Sequence, residues 1–343
     1  MHNYSMMYSR NGDKMKYAVI TFTEKGDQIA EILALSFNID LYSKKKQIDF
    51  NFKEVSKKVM ECYKTIIFIS STGIAVRAIA PYIKSKEVDP AVLVIDNYCN
   101  YVISLLSGHL GGANEITLKV SAILSAKAII TTATDNLGIT APDMIAKDNG
   151  FIIENLKKAK EIAALLVEGK NIGFFDEKGI MKTPAGYSSN LEDICGLVCV
   201  CSCENINTGL VENITPTLKL IRKNIVLGIG CRKKFPYEKM KQTVLRMLKE
   251  YNIDSRSIMS IATVDIKKDE VAIVELANYF KCQLKVFTIE DIKTIQHKFS
   301  GSDFVEKTIG ARAVCEPCIE LSGAKIIKNK MKLEGMTLCI GEV

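Results

Sequence analysis

No apolar run in this 343-residue chain approaches the roughly 20 residues that a bilayer-spanning helix needs, which argues against a helical membrane protein. Basic residues are not gathered: Lys and Arg number 46 against 39 Asp and Glu, and the one tight cationic run is Lys44-Lys45-Lys46. A nucleic-acid-binding face calls for a dense Lys/Arg stripe with interleaved aromatics, so no nucleic-acid partner is expected. A mild positive excess fits a small polyanionic substrate better than a polymer. The opening residues MHNYSMMYSRNGDK lack the apolar core of a secretory signal, so the expectation is a cytoplasmic protein whose eleven cysteines stay reduced. No P-loop is present, and no second C-x-x-C accompanies Cys315-x-x-Cys318 to complete a metal site. Cys199, Cys201 and Cys203 alternate and would share one strand face, as small buried hydrophobes rather than ligands. No metal is expected. Histidine is scarce, with three in the whole chain.

What is present is a βα rhythm. Tyr17–Phe22 reads as a strand, Asp27–Leu35 and Glu54–Met60 as helices, and Thr65–Ile69 as a strand buried on both faces. A helix over Ile74–Ala80 stops at Pro81, and strand Ala128–Thr131 follows a helix over Asn114–Leu124. This succession predicts a doubly wound α/β sheet. From Phe151 the pattern loosens to helix Asn155–Leu166, strands Asn171–Phe175 and Leu197–Ser202, and a polar stretch Asn205–Thr217. The rhythm returns with strands Ile225–Ile229, Ile258–Val264 and Gln283–Phe287 and helices Tyr237–Tyr251 and Lys268–Phe280. Short helices Ile289–Ile295, Asp303–Thr308 and Cys315–Leu321 and strands Lys325–Lys328 and Met336–Ile340 close the chain. The fold class expected is α/β: two α/β domains with parallel-rich sheets joined by a small middle segment. The boundaries expected are a disordered extension over 1–15, an N-terminal domain over 16–148, a middle segment over 149–222 and a C-terminal domain over 223–343.

The densest stretch is AVLVIDNYCNYVISLLSGHLGGANEIT, Ala91–Thr117. Two short Val/Ile-rich runs, Ala91–Ile95 and Tyr101–Leu106, fit strands, and Ser107-Gly108-His109-Leu110-Gly111-Gly112 opens a helix. Glycines there expose backbone N–H groups, and a helix start adds unpaired N–H groups and a positive dipole end. Gly108, Gly111 and Gly112 are therefore candidates for an oxyanion hole, with His109 as general base or acid. The plain alternative is a tight turn with His109 packing or capping. Ser107 is a binding candidate but a poor nucleophile, since no G-x-S-x-G elbow surrounds it. Asn114 reads as a cap or a donor to substrate. Ser71, Thr72 and Gly73 end a strand and open a helix, with Arg77 about one turn on, a pattern suited to carboxylates or to N-capping alone. Asp96 and Asp135 each end a strand, either to orient His109 or to serve as turn aspartates. Near the C-terminus, Gly228-Ile229-Gly230-Cys231-Arg232 hands a strand to a helix initiated by Pro236, but lacks the third glycine of a dinucleotide loop. Gly230 and Arg232 are the candidates there; Gly301-Ser302 and Glu316 are lesser ones.

GIAVRAIAPYIKSKEVDPAVLVIDNYCNYVISLLSGHLGGANEIT, with TTATD at Thr131–Asp135 and GIGCRKK at Gly228–Lys234, resembles the cobalt-precorrin-5A hydrolase family of anaerobic cobalamin biosynthesis. Lys234-Phe235 departs from the small Gly/Thr-type pair expected at that point. The resemblance implies hydrolysis of the δ-lactone of cobalt-precorrin-5A, with acetaldehyde released and cobalt-precorrin-5B formed. It implies a cobalt-corrinoid substrate that brings its own metal, no further cofactor, and binding of the macrocycle in a cleft between the two α/β domains. Homodimerisation or transient contact with pathway methyltransferases is the partner expectation. A non-catalytic corrinoid carrier is the competing class.

Overall fold

A computed structural model describes residues 16–85, 88–206, 214–300, 306 and 310–343. The extension over 1–15, the loop candidate Gly301-Ser302 and the helix expected at Asp303–Thr308 lie outside the described residues. The chain divides into two compact units, residues 1–144 and 145–343.

In the first unit β1 (Lys16–Thr21), α1 (Glu24–Ala34), β2 (Asn38–Ser43), α2 (Phe52–Cys62), β3 (Thr65–Ile69), α3 (Thr72–Ile79) and β4 (Ala91–Ile95) lead to β5 (Tyr101–Leu106), α4 (Ala113–Leu124) and β6 (Lys127–Ile129). Short helices α5 (Ala133–Asn136) and α6 (Pro142–Asn149) follow. The six strands form one sheet in the order β2-β1-β3-β4-β5-β6. The central strands β3 and β4 are buried along their whole length, as their unbroken apolar sequences require. Side chains alternate between the two faces. Val19, Ile67, Leu93 and Ile95 pack with Ile29, Leu33, Ile116 and Val120 of α1 and α4, while Ala18, Ile20, Phe68 and Val94 pack with Val59, Ala75 and Ile79 of α2 and α3.

The sheet is parallel-rich, as expected, with one antiparallel pair. β1 to β4 are parallel, but β4 and β5 pair antiparallel through the turn at Asp96–Asn100, and β6 runs parallel to β5. Five residues separate the two strands, enough for a hairpin and too few for a crossover helix. Carboxyl ends therefore lie on both edges of one sheet, roughly 15 Å apart at about 3.3 Å per residue.

The second unit holds two sheets. β7 (Ile152–Ile153), β8 (Ile172–Asp176), β9 (Gly196–Cys201) and β10 (Thr217–Ile221) order as β7-β10-β9-β8, with α7 (Leu156–Val167) against them. Leu197, Cys199 and Cys201 share one face. β11 (Ile225–Cys231), β12 (Ile258–Val264), β13 (Gln283–Phe287), β14 (Lys325–Leu333) and β15 (Met336–Glu342) order as β13-β12-β11-β15-β14. This sheet has α8 (Tyr237–Glu250) and α9 (Val271–Phe280) on one face and α10 (Ile289–Ile295) and α11 (Cys315–Leu321) on the other. Gly228 is explained by packing: a Cβ there would meet Cys315 O at 2.2 Å, so α11 lies directly on β11. Gly230 is a separate case, since a Cβ there would meet Thr337 Oγ1 at 2.8 Å.

β10 and α6 are absent from the expectations above, which ran a polar stretch through Thr217. The reason for β10 is Lys219, a charge in the middle of a five-residue strand. Its side chain, 3 % exposed, donates from Nζ to Asp254 Oδ2 (2.8 Å) and to the carbonyls of Cys203 and Glu204. Asp254, 1 % exposed, also receives the Arg256 guanidinium. Burial works against the Asp254 carboxylate, but Arg256 and Lys219 outweigh it and hold the carboxyl below its usual range. Burial likewise opposes the Lys219 ammonium, and Asp254 reverses this to raise it above the usual lysine value.

Removing Lys219 leaves Asp254 with Arg256 as its remaining cation and takes the donor from the carbonyls of Cys203 and Glu204, so Lys219→Ala is expected to cost about 1–3 kcal/mol of unfolding free energy. The depressed carboxyl contributes stability above the ordinary carboxylate pKa that is lost as pH falls through its folded value. The raised amine contributes below the ordinary lysine pKa and is lost as pH rises through its folded value. Urea titrations of wild type and variant should show the largest gap between about pH 5 and 10, narrowing on either side; a gap constant down to pH 3 would contradict this.

Candidate active site

The antiparallel β4–β5 pair pairs Leu106 with Val92, so the Ser107–Gly112 turn sits at the amino end of β4. There Ser107 Oγ donates to Asp89 O (3.0 Å). Ser107 takes a left-handed backbone (φ 56°), uncommon for a residue with a Cβ. Gly111 is required on steric grounds, since a Cβ would meet Ser107 Cβ at 2.4 Å and Ser107 O at 2.8 Å. Gly108 abuts Asn114, whose Oδ1 would lie 2.7 Å from a Cβ. Asn114 is buried and ties the turn to the sheet: its Oδ1 accepts from Ser104 Oγ (2.7 Å) and its Nδ2 donates to Thr132 Oγ1 (3.0 Å). Asn114 thus braces the site from within rather than presenting its amide to substrate.

β6 runs beside β5 in the same direction, so the residues after it reach the same edge. Thr134 Oγ1 lies 3.2 Å from His109 Nε2. Asp143, in the first turn of α6, places Oδ2 4.0 Å from His109 Nδ1. The two side chains are 21 % and 12 % exposed, so the imidazole reaches solvent while its carboxylate partner is largely enclosed. A histidine between a hydroxyl and a carboxylate is the arrangement in which the carboxylate fixes the ring's tautomer and the far nitrogen handles a proton.

Several expected residues fall elsewhere. Asp96 ends β4 at the opposite edge, and its carboxylate accepts from Tyr98 N, Asn100 Nδ2 and Tyr101 N. It is the aspartate of the β4–β5 turn, and among the described side chains a carboxylate near His109 is that of Asp143. Asp143 was legible only as an acidic residue following Pro142 in a stretch assigned no element. Asp135 lies in α5, with its side chain outside the described residues. The helix start is also less open than expected: Gly112 N donates to His109 O, Ala113 N to Ser107 O and Asn114 N to Gly108 O. Gly112 therefore leaves the oxyanion-hole set. The N–H groups of Gly108, Leu110 and Gly111 make no backbone hydrogen bond among the described residues.

Ser71, Thr72, Gly73 and Arg77 cluster at the carboxyl end of β3, on the Asp96 edge. Ser71 makes no side-chain cap at α3, contrary to the expectation of capping, and Arg77 folds back so that Nη1 donates to Gly73 O (3.3 Å). The structure therefore brings Ser107, Gly108, His109 and Gly111 together with Thr134 and Asp143, and holds the Arg77 group apart from them by the length of a strand.

In the second unit Gly230 lies inside β11 opposite Thr337 rather than in a turn, and Arg232 packs on Phe235 and beside Gly335. A cavity of about 470 Å³ opens beside them, lined by Lys233, Lys234, Phe235, Ile266, Glu270 and Val271 among others. Lys234 has a left-handed backbone (φ 57°) and donates its N–H to Glu270. The turn where a small residue pair was expected is thus already closed on an internal carboxylate. Glu316 is buried in α11 within 3.5 Å of Lys330.

A histidine beside a hydroxyl and a carboxylate, near backbone donors that make no backbone hydrogen bond among the described residues, is an arrangement that hydrolytic sites use. Matches to known proteins are specific. Residues 54–135 match the family model described as Cobalamin synthesis G N-terminal, 140–192 the Cobalamin biosynthesis central region, and 225–341 the Cobalamin synthesis G C-terminus. The cobalt-precorrin-5A hydrolase of Salmonella typhimurium is 31 % identical, over 94 % of this chain and 97 % of its own. That of Priestia megaterium is 30 % identical, over 93 % and 92 %. A cobalamin biosynthesis protein G homolog from Sulfolobus solfataricus aligns with 23 % identity and a TM-score of 0.40, covering 95 % of this chain and 97 % of that one. The chain belongs to the cobalt-precorrin-5A hydrolase family.

Gly111→Ala tests the turn directly. The added methyl meets backbone as well as side chain, so the variant is expected to keep the fold, lower the melting temperature and lose most activity, as followed by circular dichroism and turnover. Gly150→Ala, with nothing within 4 Å of its Cβ, provides the comparison at a left-handed glycine remote from the turn. Equal activity in the two variants would mean that the Ser107–Gly112 geometry is dispensable.

Proposed function

We infer that this protein hydrolyses the δ-lactone of cobalt-precorrin-5A to give cobalt-precorrin-5B, with release of acetaldehyde. Family membership supports the reaction. The observation that carries the chemistry is His109 held between Thr134 and Asp143 beside a turn with unpaired N–H groups. Lactone opening needs a base to generate the nucleophile, donors for the developing oxyanion and an acid for the leaving oxygen. His109 supplies the acid–base function in both directions, and the N–H groups of Gly108 and Gly111 face the carbonyl oxygen as charge builds on it. Cobalt arrives chelated in the substrate.

The macrocycle's carboxylates need cationic or N–H partners away from the reacting ester. Ser71, Thr72, Gly73 and Arg77 offer these at the carboxyl end of β3 in the first unit. Eleven cysteines, all unpaired, fit a reducing cytoplasm.

The assay is anaerobic incubation of purified protein with the lactone substrate, with the aldehyde trapped as a hydrazone. Aldehyde formation is expected. Tight binding without aldehyde would make the protein a carrier and overturn the enzymatic reading. His109→Ala should lose turnover by about a hundredfold or more while still binding substrate. Arg77→Ala should raise KM with kcat largely kept, and an unchanged KM would remove Arg77 from the binding set.

A further inference from the structure

The position of Thr134 assigns it more than a supporting part. Nε2 of His109 meets Thr134 Oγ1 at hydrogen-bond distance, 3.2 Å, while Nδ1 has the Asp143 carboxylate nearby, Oδ2 at 4.0 Å. The hydroxyl at hydrogen-bond distance from the nitrogen that would act as base is therefore that of Thr134. A nucleophile, a base on its hydroxyl and a carboxylate orienting the base define an activated hydroxyl irrespective of fold or chain order. Three separate segments contribute: the turn after β5, α5 and the start of α6. The alternative hydroxyl on this edge, Ser107, is turned away, since its Oγ donates to Asp89 O. Thr134 is 6 % exposed, which keeps its hydroxyl from bulk water until a carbonyl is brought to it. The 4.0 Å carboxylate distance is the loose spacing common before substrate binds.

Resting on the hydrolase reading above, we propose that Thr134 Oγ1 is the nucleophile that opens the lactone, with His109 its base and Asp143 the positioning carboxylate, so that hydrolysis passes through an ester on Thr134. Thr134 Oγ1 adds to the lactone carbonyl carbon as its proton passes to His109 Nε2. The tetrahedral adduct collapses, the ring acyl C–O bond breaks, and the departing oxygen, still attached to the macrocycle, takes that proton from His109. All substrate atoms are then held on the enzyme. Water, deprotonated by His109, adds to the Thr134 ester; the carboxyl group is released and Thr134 Oγ1 recovers its hydrogen. No oxidant, reductant or second substrate enters.

The test combines substitution with covalent labelling. Turnover of the lactone substrate by wild type establishes that the hydrolase reading holds before the nucleophile is judged. Thr134→Ala should then fall by at least about a thousandfold in kcat, while Thr134→Ser stays within about tenfold of wild type. A small β-lactone, which acylates activated hydroxyls, should add its full mass to wild-type protein on the tryptic peptide containing Thr134. The label should be lost in Thr134→Ala and in His109→Ala. Asp143→Asn should slow both labelling and kcat with KM little changed, and Asp143→Glu should recover part of each, a pattern that a packing role would not produce. Turnover in Thr134→Ala within tenfold of wild type, or a catalytically active wild type that takes no label on Thr134, would overturn the proposal and leave the hydrolase reading standing. Failure of wild type to turn over the lactone removes the hydrolase reading and the proposal with it.

Discussion

The antiparallel pairing of β4 with β5 is the constraint on which the candidate site depends. A five-residue turn cannot carry the chain back across a sheet, so β5 runs against its neighbour and β6, after α4, runs with β5. The carboxyl ends of the last two strands thereby meet on the edge where β1, β3 and β4 begin. Loops beyond carboxyl ends are where side chains are freest to diverge from the sheet, and here they bring His109, Thr134 and Asp143 within contact. Had β5 continued the parallel order, the histidine turn would have shared an edge with Ser71 and Arg77 instead.

The turn is held by its own backbone more than by charge. The carbonyls of Ser107, Gly108 and His109 take up the N–H groups of Ala113, Asn114 and Gly112, so the positive end of α4 is largely spent inside the loop. Among the described residues the N–H groups of Gly108, Leu110 and Gly111, beside the imidazole, make no backbone hydrogen bond. Ser107 accepts an unfavourable φ because Asp89 O, Gly111 and the start of α4 together fix its position. Asn114 holds the two sides together, with Ser104 on β5 and Thr132 beyond β6 sharing one buried amide. A polar network of this kind loses its value if any member is missing.

Much of the scaffold was legible in the sequence, for identifiable reasons. Unbroken apolar runs such as Thr65–Ile69, Ala91–Ile95 and Ile258–Val264 have the strand bounds expected of them, because burial on both faces leaves little choice. β2 was missed because Asn38–Ser43 mixes Asp and Asn into an edge strand, where neither face demands an apolar residue. β10 was missed because Lys219 looks like a surface residue until its partner Asp254, 35 positions away, is in view. In the site, His109 and the glycines stood out through scarcity and spacing. The sheet edge to which each loop belongs did not, since strand direction follows from pairing and leaves no local signature. Asp96, read as either an orienter of His109 or a turn aspartate, is the turn aspartate, and Asp143, given no part in the sequence, lies near the imidazole because of that reversal.

The same reversal bears on how a large anionic ring can use the first unit. A strand's length of core separates the acid–base group from the Arg77 cluster, so a single ester carbonyl cannot touch both. A macrocycle bearing several carboxylates can contact two such places only if recognition and chemistry fall to different parts of it. The side-chain assignments follow that division. Arg77 is exposed, and among the described residues its side chain is seen donating to Gly73 O of its own helix. His109 is mostly enclosed, with Thr134 Oγ1 3.2 Å from Nε2 and the Asp143 carboxylate 4.0 Å from Nδ1. Flexibility suits recognition of one carboxylate among many, while proton transfer needs heavy atoms held to within a fraction of an ångström.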